Sequence, residues 1–178
     1  MARRVLLIGF IVMLTACQIA MAEMVDVSRW LDRSDPIKIY ISAVTNESGQ
    51  SQIAPEDFKK ALESSIKNRR SMKFEIVSDP LASDFQIAAI IKKYSYSKTD
   101  PVNSIAGPSA LILDAVTTEN YAEMDVDFTI TSSRDKTVVW KDNISDYVEH
   151  TMTPGESIPM VYDKVARRFL WKAFGKGK

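Results

Sequence analysis

Apolar and polar residues alternate most regularly between Tyr121 and Glu149. Ala122, Met124, Val126, Phe128 and Ile130 occupy every second position, and Tyr121, Glu123, Asp125, Asp127 and Thr129 lie between them. A period of two sends the sets to opposite faces of a strand, one dry and one wet. Ser133-Arg134-Asp135-Lys136 supplies a polar turn before a second β-prone run that begins Thr137-Val138-Val139-Trp140. A short turn with Ser133 opposite Thr137 sets Ile130 against Trp140 and Val126 against Ile144, so that apolar meets apolar on one face.

The same reading extends along the chain. Ile37, Ile39 and Ile41 alternate with Lys38, Tyr40 and Ser42 in a first strand. Pro55 followed by Glu56 and Asp57 suits a helix start, and Phe58, Ala61, Leu62 and Ile66 recur at helical spacing up to about Arg69. Met72, Phe74 and Ile76 form a short strand. Asp84 to Lys98 is a longer one, with Phe85, Ile87, Ala89 and Ile91 on one face and Ala88 and Ile90 on the other, the latter continued by Tyr94 and Tyr96. Apolar residues on both faces mark a central strand or one partly covered on both sides. A final helix runs from about Glu156 to Phe174, with Pro159 in its first turn and Met160/Val161, Val165, Phe169 and Ala173 as its buried stripe. The order β-α-β-β-β-β-α predicts an α+β fold: a mostly antiparallel sheet of about five strands with two helices on one face.

The first sixteen residues change the picture. Arg3 and Arg4, then the apolar run from Val5 to Leu14, then small residues, form an export signal too short to stay in a bilayer as a spanning helix. Leu14-Thr15-Ala16-Cys17 matches the lipobox of bacterial lipoproteins, in which the cysteine becomes acylated, and Cys17 is the sole cysteine. Cleavage after Ala20-Met21-Ala22 is the competing reading and gives a soluble periplasmic protein. On the lipoprotein reading residues 1–16 are the signal, 17–35 a tether and 36–178 one periplasmic domain, with Val25, Trp30 and Leu31 able to dock on that domain. Gln18 is not the aspartate associated with inner-membrane retention, so the likeness to such proteins implies the outer membrane, facing the periplasm.

The 178 residues are 46% hydrophobic, enough for one domain with a real core. Taking Arg3 and Arg4 from 23 basic residues leaves 21 against 23 acidic ones, which is no footprint for a nucleic-acid partner. One histidine forbids a histidine-built metal cluster, one cysteine forbids an internal disulfide, and neither a phosphate-binding glycine loop nor a nucleophile elbow is present. The expectation is a protein with no catalytic residues, no metal and no cofactor. His150 has Glu149 and Asp146 near it but no marked nucleophile, and it reads as a surface residue at a strand end. Glu123, Asp125 and Asp127 read as a wet strand face, since successive carboxylates about 6.6–7 Å apart cannot grip one small ion unaided.

Two stretches bear on partners. Residues 99–120 separate two clear strands and include Gly107-Pro108 and then Leu111-Ile112-Leu113. Such a segment either covers a sheet edge or contacts a partner or membrane. The last helix carries Lys164, Arg167, Arg168 and Lys172, and Lys176 and Lys178 follow. It is either a solvated face with charges that suit the helix dipole, or an anion site in which Arg167, Arg168 and Lys172 meet lipid A phosphates or acidic headgroups.

Ile37 to Asn46 (IKIYISAVTN), Ala82-Ser83-Asp84-Phe85-Gln86-Ile87 leading to Ile91 and Tyr94, and the hairpin from Val126 to Trp140 resemble segments of outer-membrane assembly lipoproteins. With the helix-and-sheet order, the chain is most similar to the lipopolysaccharide-assembly lipoprotein family (LptE-like), with weaker similarity to curli-secretion lipoproteins and to lipoprotein activators of cell-wall synthases. The first resemblance implies a non-enzymatic subunit seated in an outer-membrane barrel that helps lipopolysaccharide reach the outer leaflet. The insert at Gly107 to Val116 and the absence of glycine from the Ser133–Lys136 turn depart from that pattern, and no binding residue carries over.

Overall fold

The computed structural model describes residues 24–27, 35–70, 72–99, 119–149 and 153–175. The elements follow the expected order: β1 (Ile37–Asn46), α1 (Pro55–Lys67), β2 (Phe74–Ile76), a 3-10 turn (Pro80–Ala82), β3 (Phe85–Thr99), β4 (Glu119–Ser132), β5 (Val138–Glu149) and α2 (Pro154–Phe174). The sheet order is β2-β1-β3-β4-β5. The long β3–β4 and β4–β5 pairs are antiparallel, whereas β1 runs parallel to both β2 and β3. The sheet is therefore mixed, with its longest ladders antiparallel.

Ile130 pairs with Trp140 and Val126 with Ile144, the register that apolar matching requires. The turn that sets it closes with Ser132 N–H donating to the Thr137 carbonyl at 2.9 Å and Lys136 N–H to the Ser132 carbonyl at 3.0 Å. Lys136 takes φ 59°, a left-handed conformation where a side chain is strained and glycine is not. The glycine absent from this turn thus has a definite position.

A bulge opposite the Ile130–Thr131 step leaves Val139 unpaired, so Ser132 rather than Ser133 bonds to Thr137; two further bulges keep the dry face dry. Between Ile41 and Ala43 in β1, and between Ile91 and Lys93 in β3, one extra residue shifts the pairing. The second corrects the expected alternation. Beyond Lys92 the pleat is offset by one, so Tyr94 falls on the core face, only 4% exposed, rather than continuing the Ala88/Ile90 face. Tyr96 is half-buried and packs against the same core.

Both helices lie on this face. Phe128 of β4 stacks on Phe169 of α2 with ring centroids 4.1 Å apart, and Phe58 of α1 meets Phe128 and Tyr162 at 6.1 and 5.2 Å. Helix α2 starts at Pro154, two residues before the expected start, with the Glu156 carboxylate accepting from Thr153 N–H at 3.1 Å. Pro159 consequently sits in the helix interior, beyond the first turn. The end of α1 at Lys67, short of Arg69, reflects the turn at Asn68.

Replacing Lys136 by glycine should raise stability by about 0.5–1 kcal/mol, relief of left-handed strain less the added freedom of the unfolded chain; chemical denaturation reads it. Burial raises the Tyr162 hydroxyl to about 12 from 10.0. A raised folded value adds stability that is whole below about pH 10 and lost as pH rises toward 12. Ultraviolet titration should find a tyrosine ionising near pH 12, and Tyr162→Phe should remove that step.

Candidate functional site

Among the described residues no group of three or more His, Cys, Asp or Glu is placed to hold a metal ion. The outer-face carboxylates are instead spoken for by neighbours: Glu123 by Lys93 at 2.6 Å and Asp127 by Asn143 at 2.7 Å. One Asp125 oxygen is buried without a hydrogen-bond partner. The candidate surfaces are therefore the basic helix and the two ends of the sheet.

The cations of α2 face the edge strand β5. On the inner face of β5, Trp140, Ile144 and Val148 are buried, and Asp142 and Asp146 come between them. Lys172 reaches Asp142 at 2.9 Å and Arg168 reaches Asp146 at 3.4 Å. Lys164 donates to the Tyr147 carbonyl at 2.9 Å and lies 5.6 Å from the centroid of that ring. Arg167 pairs with Asp163, one turn earlier in the helix. Arg168 and Lys172 thus join a helix to a strand, a role that sequence spacing alone does not reveal. Inward carboxylates at an edge also disfavour pairing with a further strand.

Arg69 was not foreseen as a site residue. It borders a concavity of about 410 Å³ with Ser65, Asn68, Asp163, Arg167 and Leu170. Its guanidinium donates to the Gly175 carbonyl, and burial lowers its pKa. The only sequence signal was its place just past the end of α1.

The two ends of the sheet differ. At one end lie the start of β3, the Ser133–Lys136 turn and the docked amino-terminal segment. Ser133 N–H donates to the Asp84 carbonyl at 2.9 Å, and the Ser83 and Ser133 hydroxyls meet at 2.6 Å. Val25 N–H donates to the Ala173 carbonyl at 2.8 Å, satisfying a helix-end acceptor, and Val25 and Val27 are buried in the core. Docking of Val25 agrees with expectation, whereas Trp30, Leu31, Cys17 and His150 lie outside the described residues. At the other end β3 and β4 stay paired to Thr99 and Glu119. The segment between them, with Leu111, Ile112 and Leu113, also lies outside the described residues. The 14 residues of β4 make these ends about 45 Å apart. No described helix is long and apolar enough to cross a membrane.

No family model matches this chain, and no curated protein does. Its fold does match solved structures. One is the PelC dodecamer from Paraburkholderia phytofirmans, with TM-score 0.53 and 12% identity over 79% of this chain and 90% of that one. Another is lipoprotein GNA1162 from Neisseria meningitidis, with TM-score 0.43 and 9% identity over 76% of this chain and 98% of that one. At 12% identity the first of these shows a likeness of fold alone. A likeness of fold does not bear on lipopolysaccharide assembly, so the narrower resemblance gains nothing from it.

If the α2 cations act chiefly within the fold, Asp142 and Lys172 should be energetically coupled. A double-mutant cycle with Asp142→Ala and Lys172→Ala should give about 0.5–1 kcal/mol, shrinking as salt is raised.

Proposed function

We propose that the protein is a non-enzymatic accessory lipoprotein of the bacterial outer membrane, held by acyl chains on Cys17, whose domain contacts an envelope protein partner. The observation that carries this reading is the polarity of the sheet. The amino-terminal segment, which leads back to Cys17, docks at one end, while the β3–β4 segment leaves from the other, about 45 Å away. An anchored domain of this form keeps one end near the bilayer and presents the other to what lies in the periplasm. Two or more acyl chains make such an anchor durable, and confinement to a surface raises the effective concentration of the contact segment near a membrane-bound partner.

The lipobox supports the anchor, and the apolar Leu111-Ile112-Leu113 supports the contact. In the narrower form suggested by the sequence resemblance, the partner is a lipopolysaccharide translocon, and Arg167, Arg168 and Lys172 add contacts to phosphate groups. The likeness to PelC favours a second form, in which copies of this chain assemble around a secretion pore, because that fold is found as a dodecamer.

Two changes test the proposal. Cys17→Ser should move the protein from the membrane to the soluble fraction. Deleting residues 110–116 should leave circular dichroism and thermal unfolding unchanged while the partner no longer copurifies. Retention of both membrane attachment and partner would sink the reading. Crosslinking with mass spectrometry then separates a barrel protein, a cell-wall synthase and a ring of identical subunits.

A further inference from the structure

The end of the sheet where the amino-terminal segment docks carries an exposed apolar rim. Met24 is 62% exposed, Leu81 84%, Val138 60% and Val139 38%. They come from three separate parts of the chain, and the fold brings them to one end. Leu81 belongs to the 3-10 turn whose following residue pair, Ser83 and Asp84, bonds to Ser133. Val138 and Val139 open β5 directly after the Ser133–Lys136 turn. Met24 lines one concavity with Phe85, Ser132, Arg134 and Val139. None of these side chains serves the core, and at Val138 and Val139 the inward-facing role begins only with Trp140, which is 3% exposed.

What covers this rim follows from where the chain leads. Cys17 precedes Met24 by seven residues, a reach of at most about 25 Å when fully extended. An anchor at Cys17 cannot lie in a bilayer unless this end of the domain is close to that bilayer. Leaving exposed apolar side chains facing water beside a membrane gains nothing, whereas burying them at the headgroup boundary is favourable in proportion to the area removed from water. Arg134 and Lys136 flank the rim on the same turn and are exposed, placed to meet lipid phosphates. Asp135 lies between them, but its carboxylate is turned to its own loop, accepting from Thr137 N–H at 3.3 Å and from the Thr137 hydroxyl at 2.9 Å.

We propose that this rim, formed by Met24, Leu81, Val138 and Val139, is a membrane-docking surface that seats the domain end-on upon the lipid headgroups beneath its anchor. This deepens the anchored-lipoprotein reading and rests on it for the location of the bilayer. The geometry of the docked state is set by the rim and does not depend on which acyl chains the cell attaches.

The test separates the two ideas. The intact mass of protein purified from membranes shows whether Cys17 bears acyl groups, which decides the anchor reading alone. Independently, the full chain without its signal residues is coupled through Cys17, its sole cysteine, to a maleimide-headgroup lipid in phosphatidylethanolamine–phosphatidylglycerol vesicles. Hydrogen exchange read by mass spectrometry should slow severalfold at residues 80–84 and 133–139 relative to the free protein, with 143–149 unchanged. The triple variant Met24→Ser, Leu81→Ser, Val138→Ser, its fold checked by circular dichroism, should lose that protection while staying tethered. Equal exchange with and without vesicles would overturn the proposal, as would undiminished protection in the triple variant. Protection that appears without vesicles and grows with protein concentration would assign the rim to a second copy of the chain and overturn it too.

Discussion

The structure depends on one dry surface, the inner face of the β3–β4–β5 sheet. Phe128 and Phe169 stack at its centre, and Phe58, Trp140 and Phe174 close around them. Two helices cover that face, and a pleat that alternated without interruption would have turned apolar residues away from them. The bulges near Ser42 and Lys92 prevent this, bringing Val44 and Tyr94 to the helix side after each break. The edges are handled separately. The strand β2 has only three residues, and β5 carries Asp142 and Asp146 inward, where Lys172 and Arg168 neutralise them.

How much of this could be read from the sequence depended on whether the information was local. The register of β4 on β5 was legible because five apolar residues at period two and a short polar turn leave one pairing that matches dry to dry. The orientation of Tyr94 was not, since a bulge leaves no mark in composition and Lys92-Lys93 reads equally well as two exposed positions. The parallel placement of β1 beside β3 was equally hidden, being decided by the connections through α1 and the 3-10 turn rather than by either strand. The basic face of α2 was legible as basic, but its partners on β5 were not, because they depend on how a helix crosses a strand some twenty to thirty residues away. For the candidate surfaces, sequence named Cys17 and Leu111–Leu113 from motif and composition, and it missed Arg69 and the apolar rim, whose members are scattered along the chain.

On the proposed reading, function resides in arrangement rather than in reactive groups. A sheet about 45 Å long holds the two segments apart, and both helices pack on its inner face. The likeness to PelC is one of fold, and a fold does not fix what a protein does.

The hydrogen bond from Val25 to Ala173 has a mechanical side. Among the described residues, tension entering at Met24 meets this clip before the sheet, one backbone bond with Val25 and Val27 seated beside it. The sheet ladders lie behind it and are loaded only after it gives way. Peeling those residues off lengthens the leash while the sandwich of helices and strands stays whole, so the clip is a fuse that yields slack before the body is strained.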